Sequence, residues 1–417
     1  MTSVPADERS YSRYNQYGEN PMAPVAPIGL IPLKGSVEFT EKVNYYLNTR
    51  RSEYQQEAIV SKYPGFYRQD YRIEVENARF SSGEGKAVIK NTVRGHDLYI
   101  ISDVMNPSIT YKMYGQLNHM SPDDHYQDLK RVILACSGKA RRINVIMPFL
   151  YEGRQHKRSG RESLDGAIMY KELCDLGIKN FITFDAHDPR IQNVSPLVDF
   201  SNFTSPYQFM KSLMRSVDDL IIDKDHIVVI SPDEGALDRT VYFANVIGAD
   251  TGMFYKRRDY SVIVNGKNPI VAHEFLGTDL DGKDAIIIDD MISSGGSILD
   301  TSRQLKQNMH AKRVFLCTTF GLFTDGLGVF DEAYEKGYFD KLVTTNLTYQ
   351  PPELADREWF ELADMSKYTA MIIDFINHDI GLSSMRTPTE KIHKILEKIN
   401  RNEQSEFEQM QLEQTEF

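Results

Sequence analysis

The sequence predicts an α/β protein with a doubly wound, mostly parallel sheet architecture. Its strand candidates are short, continuous apolar runs rich in Ile and Val, which is typical of strands buried on both faces of a parallel sheet. Amphipathic segments separate these runs, as at 163–176 and 297–308, and this alternation favours the doubly wound arrangement. The predicted strands occupy residues 97–104, 143–149, 180–186, 226–233, 285–290 and 313–320.

The composition predicts a soluble, cytoplasmic protein with room for two or three domains. The chain has 417 residues and a formal net charge of −11, which argues against general nucleic-acid binding because phosphates would repel it. Its start lacks a signal-peptide pattern, and no apolar run approaches the roughly 20 residues that span a bilayer. The three cysteines lack the paired spacing of a disulfide framework or a thiolate metal site. We therefore expect no nucleic-acid partner and no membrane contact.

The two ends of the chain differ in composition from the body. Residues 1–30 are polar, rich in proline and without periodicity, so we expect a flexible leader. Near the other end, Thr387, Pro388 and Glu390 form the pattern of a capped helix start, and Ile392 begins an apolar helical face. The last residues are rich in Glu and Gln and are expected to be disordered.

The strongest functional pattern is the segment DAIIIDDMISSGGSIL, residues 284–299. An apolar strand ends in two aspartates and is followed by a Ser/Gly turn and a helical pattern. Glycines permit a tight turn that exposes backbone N–H groups, and the start of the next helix adds positive potential, so the turn suits a phosphate group. A structural turn would explain the glycines alone, but the adjoining pair of aspartates makes the pattern more specific.

This segment resembles the phosphoribosyl pyrophosphate motif of type I phosphoribosyltransferases and of ribose-phosphate pyrophosphokinases. The resemblance implies that the aspartates hold the hydroxyls of a ribose 5-phosphate and that the Ser/Gly turn holds its 5-phosphate. The residues assigned in this way are Asp289, Asp290, Ser293, Ser294, Gly295, Gly296 and Ser297. The motif alone does not separate the two enzyme classes.

Two earlier segments resemble nucleotide-binding elements of the pyrophosphokinases. RFSSGEGK is similar to the family's Phe-Ser-Asp-Gly-Glu segment, which implies that Phe80, Ser82 and Glu84 bind the adenine of ATP. An aromatic ring can stack on a purine, and an acid can accept from its amine. YEGRQHK is similar to the Tyr-Ala-Arg-Gln-Asp-Lys element, which implies that Arg154 and Gln155 contact the nucleotide.

Two later segments resemble the metal-binding elements of the same family. FITFDAHDPRIQN is similar to Asp-Leu-His-Ala-x-Gln-Ile-Gln, and VVISPDEG is similar to Ser-Pro-Asp-x-Gly. The resemblance implies that His187 and Asp233 lie beside Mg²⁺ associated with the ATP phosphates. A lone histidine is more often structural, and the surrounding pattern favours the functional interpretation here.

The segment FYKRRDYS resembles the family's catalytic loop, whose basic pair would be Lys256 and Arg258. Three consecutive cations also fit a solvated loop. Their position between the Asp233 segment and the Ser/Gly turn favours a role in stabilising phosphate charge.

The resemblance implies two tandem type I phosphoribosyltransferase-like domains, each a mostly parallel sheet flanked by helices. The expected division is a leader at 1–30, an ATP-side domain at 31–204, a ribose 5-phosphate-side domain at 205–385, and a helix with an acidic, Gln-rich tail at 386–417. It further implies synthesis of phosphoribosyl pyrophosphate and AMP from ATP and ribose 5-phosphate. Mg²⁺ is the expected cofactor, and a homo-oligomer, hexameric or otherwise built from dimers, is the expected assembly.

Two other functions stay open at this point. A type I phosphoribosyltransferase would use the segment 284–299 but no ATP element, so the segments around Phe80 and Arg154 count against it. A catalytically silent subunit that regulates a synthetase would explain why Ser82 and His156 stand where the family elements have aspartates. The expected metal-binding and catalytic residues are all present, which favours an active enzyme.

Overall fold

The computed structural model describes residues 23–52, 63, 65–158, 160–258, 270–386, 389, 391–393 and 396, without the side chains of 256–258, 270–273 and 384. Residues 1–22 of the expected leader lie outside the described residues, as does most of the expected C-terminal segment, including Thr387, Pro388 and Glu390.

The first half of the described chain folds around a parallel sheet. Its elements are β1 (Ile28–Pro32), α1 (Val37–Ser52), β2 (Val75–Arg79), β3 (Gly85–Ile89), β4 (Asp97–Ile101), β5 (Thr110–Met113), β6 (Gln116–His119), α2 (Pro122–Cys136), β7 (Arg142–Ile146), α3 (Asp165–Asp175), β8 (Asn180–Phe184) and β9 (Asp199–Phe203). Within the described residues the sheet order is β1-β4-β7-β8-β9, with every neighbouring pair parallel. The pairs β2–β3 and β5–β6 form separate antiparallel hairpins.

The second half repeats this plan around a larger sheet. Its elements are α4 (Pro206–Ser216), β10 (Ile227–Ser231), α5 (Leu237–Ile247), β11 (Asp250–Arg258), β12 (Ile270–Gly277), β13 (Asp284–Ile292), α6 (Gly296–Asn308), β14 (Arg313–Gly321), α7 (Gly328–Glu335), β15 (Lys341–Thr345), β16 (Phe360–Ala363), α8 (Ser366–Asn377) and α9 (Ser383–Arg386). Among the described strands the order is β12-β11-β10-β13-β14-β15-β16, and only β12 is antiparallel to its neighbour.

The predicted fold class is confirmed: two mostly parallel sheets follow each other, each flanked by helices. The six predicted strands correspond to β4, β7, β8, β10, β13 and β14. All residues of β4 and β10 are buried, as their continuous apolar sequences indicate. β13 continues two residues beyond the predicted end at 290, because Met291 and Ile292 still pair with β14.

The start of the first sheet lies inside the segment expected to be a flexible leader. β1 begins at Ile28, which is fully buried and pairs with Asp97 at the start of β4. The sequence pattern does not predict this strand, because it has only five residues and lies beside prolines. Residues 28–30 therefore belong to the sheet rather than to the leader.

A polar cluster ties the end of the described chain to the first sheet. α8 packs on α1, and Arg51 donates from Nε to Asp374 at 2.9 Å and from a terminal nitrogen to Asn377 at 2.7 Å. Asn377 donates to Asp97 at 2.9 Å, and Asp97 also accepts from Arg142 at 2.7 Å and 2.8 Å. We call these five residues the amino-end cluster, because Asp97 and Arg142 are the first residues of β4 and β7.

The described part of the expected C-terminal helix lies against the second half of the chain. Ile392 is fully buried in the apolar cluster that contains residues of α5, and His393 Nε2 lies 3.0 Å from the Val246 carbonyl oxygen. None of the helices in the described residues has the length and apolar character needed to cross a membrane.

Candidate active site

Acidic side chains from both sheets meet at a single arginine. Asp185 follows β8, whereas Asp289 and Asp290 lie near the end of β13. Arg239, in the first turn of α5, donates from Nε to Asp185 at 3.3 Å, and its terminal nitrogens lie 3.6 Å from Asp289 and 3.7 Å from Asp290. With His187 we call these residues the junction cluster. It brings the carboxyl end of one sheet against the carboxyl end of the other, where ligand sites of such sheets lie.

The pKa values in the junction cluster reflect burial and crowded negative charge. Burial raises the pKa of Asp289 well above its ordinary value, and the nearby charges of Asp290 and Asp233 raise it further. Burial also raises the pKa of Asp185, although the Arg239 charge opposes this. Burial alone would lower the pKa of Arg239, but the three carboxylates outweigh it and raise that pKa. Asp289 therefore differs electrostatically from an ordinary surface aspartate.

His187 links the first sheet directly to the aspartate pair. Its Nδ1 lies 2.7 Å from Asp290 Oδ2, and its side chain is 35% exposed. Burial would raise the pKa of Asp290, but the hydrogen bond from His187 and the Arg239 charge outweigh burial and lower it. Engagement of Nδ1 leaves Nε2 of His187 as the nitrogen that can bind a ligand.

Asp233 caps the short 3-10 helix that precedes α5. Its Oδ1 accepts from the backbone N–H groups of Gly235 at 2.9 Å and Ala236 at 3.3 Å, which fixes the carboxylate beside Asp289. Among the described residues, no three His, Cys, Asp or Glu side chains are grouped closely enough to hold a metal ion. Mg²⁺ in proteins usually keeps several waters and adds one or two carboxylates and substrate phosphates, and the Asp233 carboxylate is a donor of that kind.

The Ser/Gly turn has the backbone that the sequence predicts for an anion site. Gly295 has φ of +90°, and a Cβ there would lie 2.3 Å from the ring of Phe330, so both conformation and space require glycine. α6 begins at Gly296, which places its unpaired N–H groups at the turn. Ser294 is exposed and Ser293 half-buried, and Ser297 lies in the first turn of α6. This arrangement can bind a phosphate.

The predicted adenine-binding residues occupy the turn of the β2–β3 hairpin. Phe80 is 53% exposed, and its backbone N–H donates to the Glu84 carbonyl at 2.8 Å. Ser82 donates to the Glu84 carboxylate at 2.8 Å, and Tyr114 of the β5–β6 tip donates its N–H to Ser81. The described contacts of this turn stay within the two hairpins and do not reach the junction cluster.

Arg154 and Gln155 lie in the loop that follows β7, and both are exposed. The Gln155 N–H donates to the Glu152 carbonyl at 2.9 Å, so the loop is a tight turn. The next residue, His156, has its ring 5.5 Å from the ring of His187. The loop therefore lies beside the junction cluster.

The predicted catalytic pair lies in β11, next to β12. Lys256 pairs with His273 and Arg258 with Ile270 along the antiparallel ladder, with an irregularity between Arg257 and Arg258. The side chains of Lys256 and Arg258 lie outside the described residues. Their role stays a prediction from the sequence.

Sequence analysis missed two residues of the junction cluster. Arg239 stands six positions after Asp233, beyond the segment VVISPDEG. Asp185 lies in the segment FITFDAHDPRIQN, but the sequence does not predict its contacts with Arg239 and with Thr319 at 2.8 Å. The sequence signal for Arg239 is a cation at a helix start shortly after a strand. The φ of +40° at Asp185, which is uncommon outside glycine and often functional, is known only from the structure.

Two family models match the chain in tandem. The N-terminal domain of ribose phosphate pyrophosphokinase matches residues 30–177, and the phosphoribosyl transferase domain matches residues 207–354. Together they cover well over half of the chain. The second match includes Asp233, Arg239 and the segment 284–299.

Several proteins that are similar to this chain are named ribose-phosphate pyrophosphokinase. A ribose-phosphate pyrophosphokinase of Parasynechococcus marenigrum is 29% identical over 271 residues, which cover 64% of this chain and 72% of the relative. One of Vibrio parahaemolyticus is 26% identical over 312 residues, covering 74% and 89%. The crystal structure of a phosphoribosylpyrophosphate synthetase from Mycobacterium smegmatis aligns with a TM-score of 0.65 at 18% identity, covering 84% of this chain and 99% of that one. That structural likeness supports the fold.

Proposed function

The chain belongs to the ribose-phosphate pyrophosphokinase family, and we propose that it transfers the β,γ-diphosphoryl group of ATP to the C1 hydroxyl of ribose 5-phosphate. The products are phosphoribosyl pyrophosphate and AMP. The observation that carries the proposal is the 2.7 Å contact between His187 and Asp290. It joins the turn that suits ribose 5-phosphate to the residue expected beside the ATP phosphates.

The ribose 5-phosphate site is proposed at the end of β13 and the start of α6. The 5-phosphate accepts from backbone N–H groups at Gly295 and Gly296 and from the hydroxyls of the turn. Asp289 and Asp290 accept hydrogen bonds from the ribose hydroxyls, which replaces part of the water that their burial removes. The Arg239 charge keeps these carboxylates close together despite their repulsion.

The ATP site is proposed on the first half of the chain. Phe80 stacks on the adenine, and Glu84 and Ser82 bind its polar edge. Arg154 and Gln155 contact the phosphates or the ribose of the nucleotide. Because the Phe80 turn is exposed, an adjacent subunit of a homo-oligomer is proposed to complete the pocket.

Mg²⁺ is the proposed cofactor, and His187 Nε2 and the Asp233 carboxylate would hold it. When bound, it neutralises phosphate charge and orients the triphosphate. Asp290 fixes the His187 ring, so that Nε2 remains directed away from the Nδ1 contact.

Diphosphoryl transfer depends on alignment and charge stabilisation more than on covalent catalysis. Lys256 and Arg258 are proposed to stabilise negative charge around the β-phosphorus as its bond to the α-phosphate oxygen breaks. Loss of one such contact typically reduces turnover by a factor of about 10²–10³. The C1 oxygen of the ribose is the attacking atom, and AMP is the leaving group.

The direct test measures AMP formation from ATP, Mg²⁺ and ribose 5-phosphate. We expect AMP and phosphoribosyl pyrophosphate in equal amounts from the unaltered chain and about 10²–10³ less from Lys256→Ala. Lys171→Ala, at an exposed position in α3, is the matched control and should keep full turnover.

Two results would contradict the proposed reaction, and a third would contradict the role of Lys256. A type I phosphoribosyltransferase would consume phosphoribosyl pyrophosphate with a base and form no AMP. A silent subunit would form no product alone. Full turnover in Lys256→Ala would remove that residue from the reaction.

A further inference from the structure

The loop that carries Arg154 and Gln155 is anchored at both ends by side chains. At its start, the Tyr151 hydroxyl donates to Asp123 at 2.6 Å, and its ring stacks on Tyr126 of α2 at 4.6 Å. At its end, His156 Nε2 lies 3.3 Å from Asp188 Oδ2. The exposed Arg154 and Gln155 lie between these anchors, so their position depends on both.

The His156 contact joins this loop to the loop that carries His187. Nδ1 of His156 lies 3.2 Å from the Gly153 carbonyl oxygen within its own loop, while Nε2 reaches Asp188 in the other. The side chains of His156 and Asp188 are only 13% and 8% exposed. An electrostatic contact of this kind is stronger when it is shielded from water.

Asp188 is itself held firmly. Its carboxylate accepts from the backbone N–H of Arg190 at 2.9 Å, which caps the 3-10 helix Pro189–Val194, and forms a bidentate pair with the Arg190 guanidinium. His156 therefore meets a fixed carboxylate.

Both partners depart from the family elements to which their segments are similar. The Tyr-Ala-Arg-Gln-Asp-Lys element has an aspartate where this chain has His156, and the Asp-Leu-His-Ala-x-Gln-Ile-Gln element has an alanine where it has Asp188. An acid at 156 facing Asp188 would bring two carboxylates together in a shielded place, which is unfavourable. An aspartate at position 188 is therefore compatible with the histidine at position 156 but not with the aspartate of the family element.

We propose that the His156–Asp188 pair is a positioning device that fixes the Arg154–Gln155 turn against the His187 loop and thereby sets the affinity for ATP. The ATP part rests on the proposed function. His156 itself is a positioning residue, because it acts through Arg154 and Gln155.

Four variants separate positioning from general stability. His156→Ala removes the contact, and His156→Gln keeps a nitrogen donor of similar reach. His156→Glu places a second acid next to Asp188. In the double variant, His156→Glu with Asp188→Asn, the asparagine amide can donate to the glutamate, so a contact is restored with donor and acceptor exchanged. The asparagine oxygen can still accept from the Arg190 N–H at the start of the 3-10 helix. His226→Ala is the control, since it breaks another histidine–aspartate pair, in which the side chains of His226 and Asp223 are 54% and 44% exposed.

The first measurement is calorimetric binding, with Mg²⁺, of an ATP analogue whose α,β-bridging oxygen is a methylene. We expect binding on the order of tenfold weaker in His156→Ala and weaker still in His156→Glu, since the loss of a shielded polar contact to a charged group has an effect of that order. His156→Gln, the double variant and His226→Ala should stay within about threefold of the unaltered chain, because the contact between residues 156 and 188 is retained, restored or untouched. The KM for ribose 5-phosphate should change less than about threefold in all of them.

The second measurement is hydrogen exchange without ligand. The N–H groups of Gly153 and Gln155, which donate to Leu150 and Glu152, should exchange faster in His156→Ala and His156→Glu and recover in the double variant. Unchanged exchange in these variants overturns the positioning role. Equal analogue binding by the unaltered chain and all variants, or an equal rise in both KM values, overturns the role in ATP affinity alone. Failure of the unaltered chain to bind the analogue or to form AMP overturns the proposed function instead, and exchange still decides the positioning role.

Discussion

Two buried clusters of charged side chains lie at opposite ends of the strands, and they differ in their balance of charge. In the amino-end cluster, Arg51 and Asp374 are fully buried and their partners come from the protein itself. In the junction cluster, three carboxylates face one arginine and one histidine. The first cluster is complete once the chain folds, whereas the second keeps an excess of negative charge.

The pKa values follow this difference. Burial alone would raise the pKa of Asp374, but the charges of Arg51 and Arg50 outweigh it and lower that pKa. The pKa of Asp289 is instead raised by burial and by Asp290. Buried carboxyls with raised pKa values concentrate at functional sites. The amino-end cluster therefore stabilises the fold, whereas the junction cluster is the one that we propose is completed by ligands.

Breaking the amino-end cluster should have the largest effect. Asp374→Asn leaves Arg51 buried without its anion, so we expect the free energy of unfolding to fall by about 3–5 kcal/mol, measured by urea denaturation. AMP formation per folded molecule should not change. Asp175→Asn, in an exposed pair with Lys171, is the control and should cost less than about 0.5 kcal/mol; equal costs in the two variants would contradict the comparison.

Breaking the junction cluster should affect catalysis instead. Arg239→Met removes the cation shared by Asp185, Asp289 and Asp290, and we expect turnover to fall by about 10²–10³, because the preorganised charge pattern is lost. Arg239→Lys should recover part of the activity. Arg215→Met, which removes an exposed partner of Glu361, should retain full turnover. Similar losses in turnover for both methionine variants would show that Arg239 contributes no more to catalysis than the exposed Arg215 does.

Ligand binding should stabilise the folded protein only through the site beside the junction cluster. Ribose 5-phosphate at 100 times its Kd should raise the free energy of unfolding by about 2.7 kcal/mol, and Ser294→Asp should abolish this gain by placing a negative charge in the anion site. Thr278→Asp adds the same charge at an exposed position after β12 and should leave the gain intact. An undiminished gain in Ser294→Asp would refute the assignment of the turn.

The smallest expected effect is on how the free energy of unfolding depends on pH. Because the pKa of Asp289 is raised in the folded protein, the folded state holds that proton more tightly, and stability is lost as pH rises from about 4 through the folded pKa. Asp289→Asn should therefore raise the free energy of unfolding at about pH 8 by about 0.5–2 kcal/mol and flatten its decline above pH 5. Asp374 has the opposite sign, since its lowered pKa gives stability above about pH 4 that is lost in acid. A variant less stable than the unaltered chain at pH 8 would contradict the sign for Asp289.

Local patterns predicted much of the fold and part of the site. The strands β4, β7, β8, β10, β13 and β14 were predicted because each is a continuous apolar run with a clear end. β1 was missed because its five residues lie beside prolines, and α8 gave no sign that it would pack on α1. The Ser/Gly turn was predicted because glycine conformation and helix-start potential act within a few residues.

By itself the sequence determined the α/β class, the phosphate-binding turn after β13 and the family to which the chain is similar. The tertiary structure decided which charges meet. His187 and Asp290 are 103 positions apart, Arg239 and Asp185 are 54 apart, and Arg51 and Asp374 are 323 apart. Turns and strands follow from short-range spacing, whereas these contacts depend on how two sheets and a returning helix pack together, which no local pattern contains.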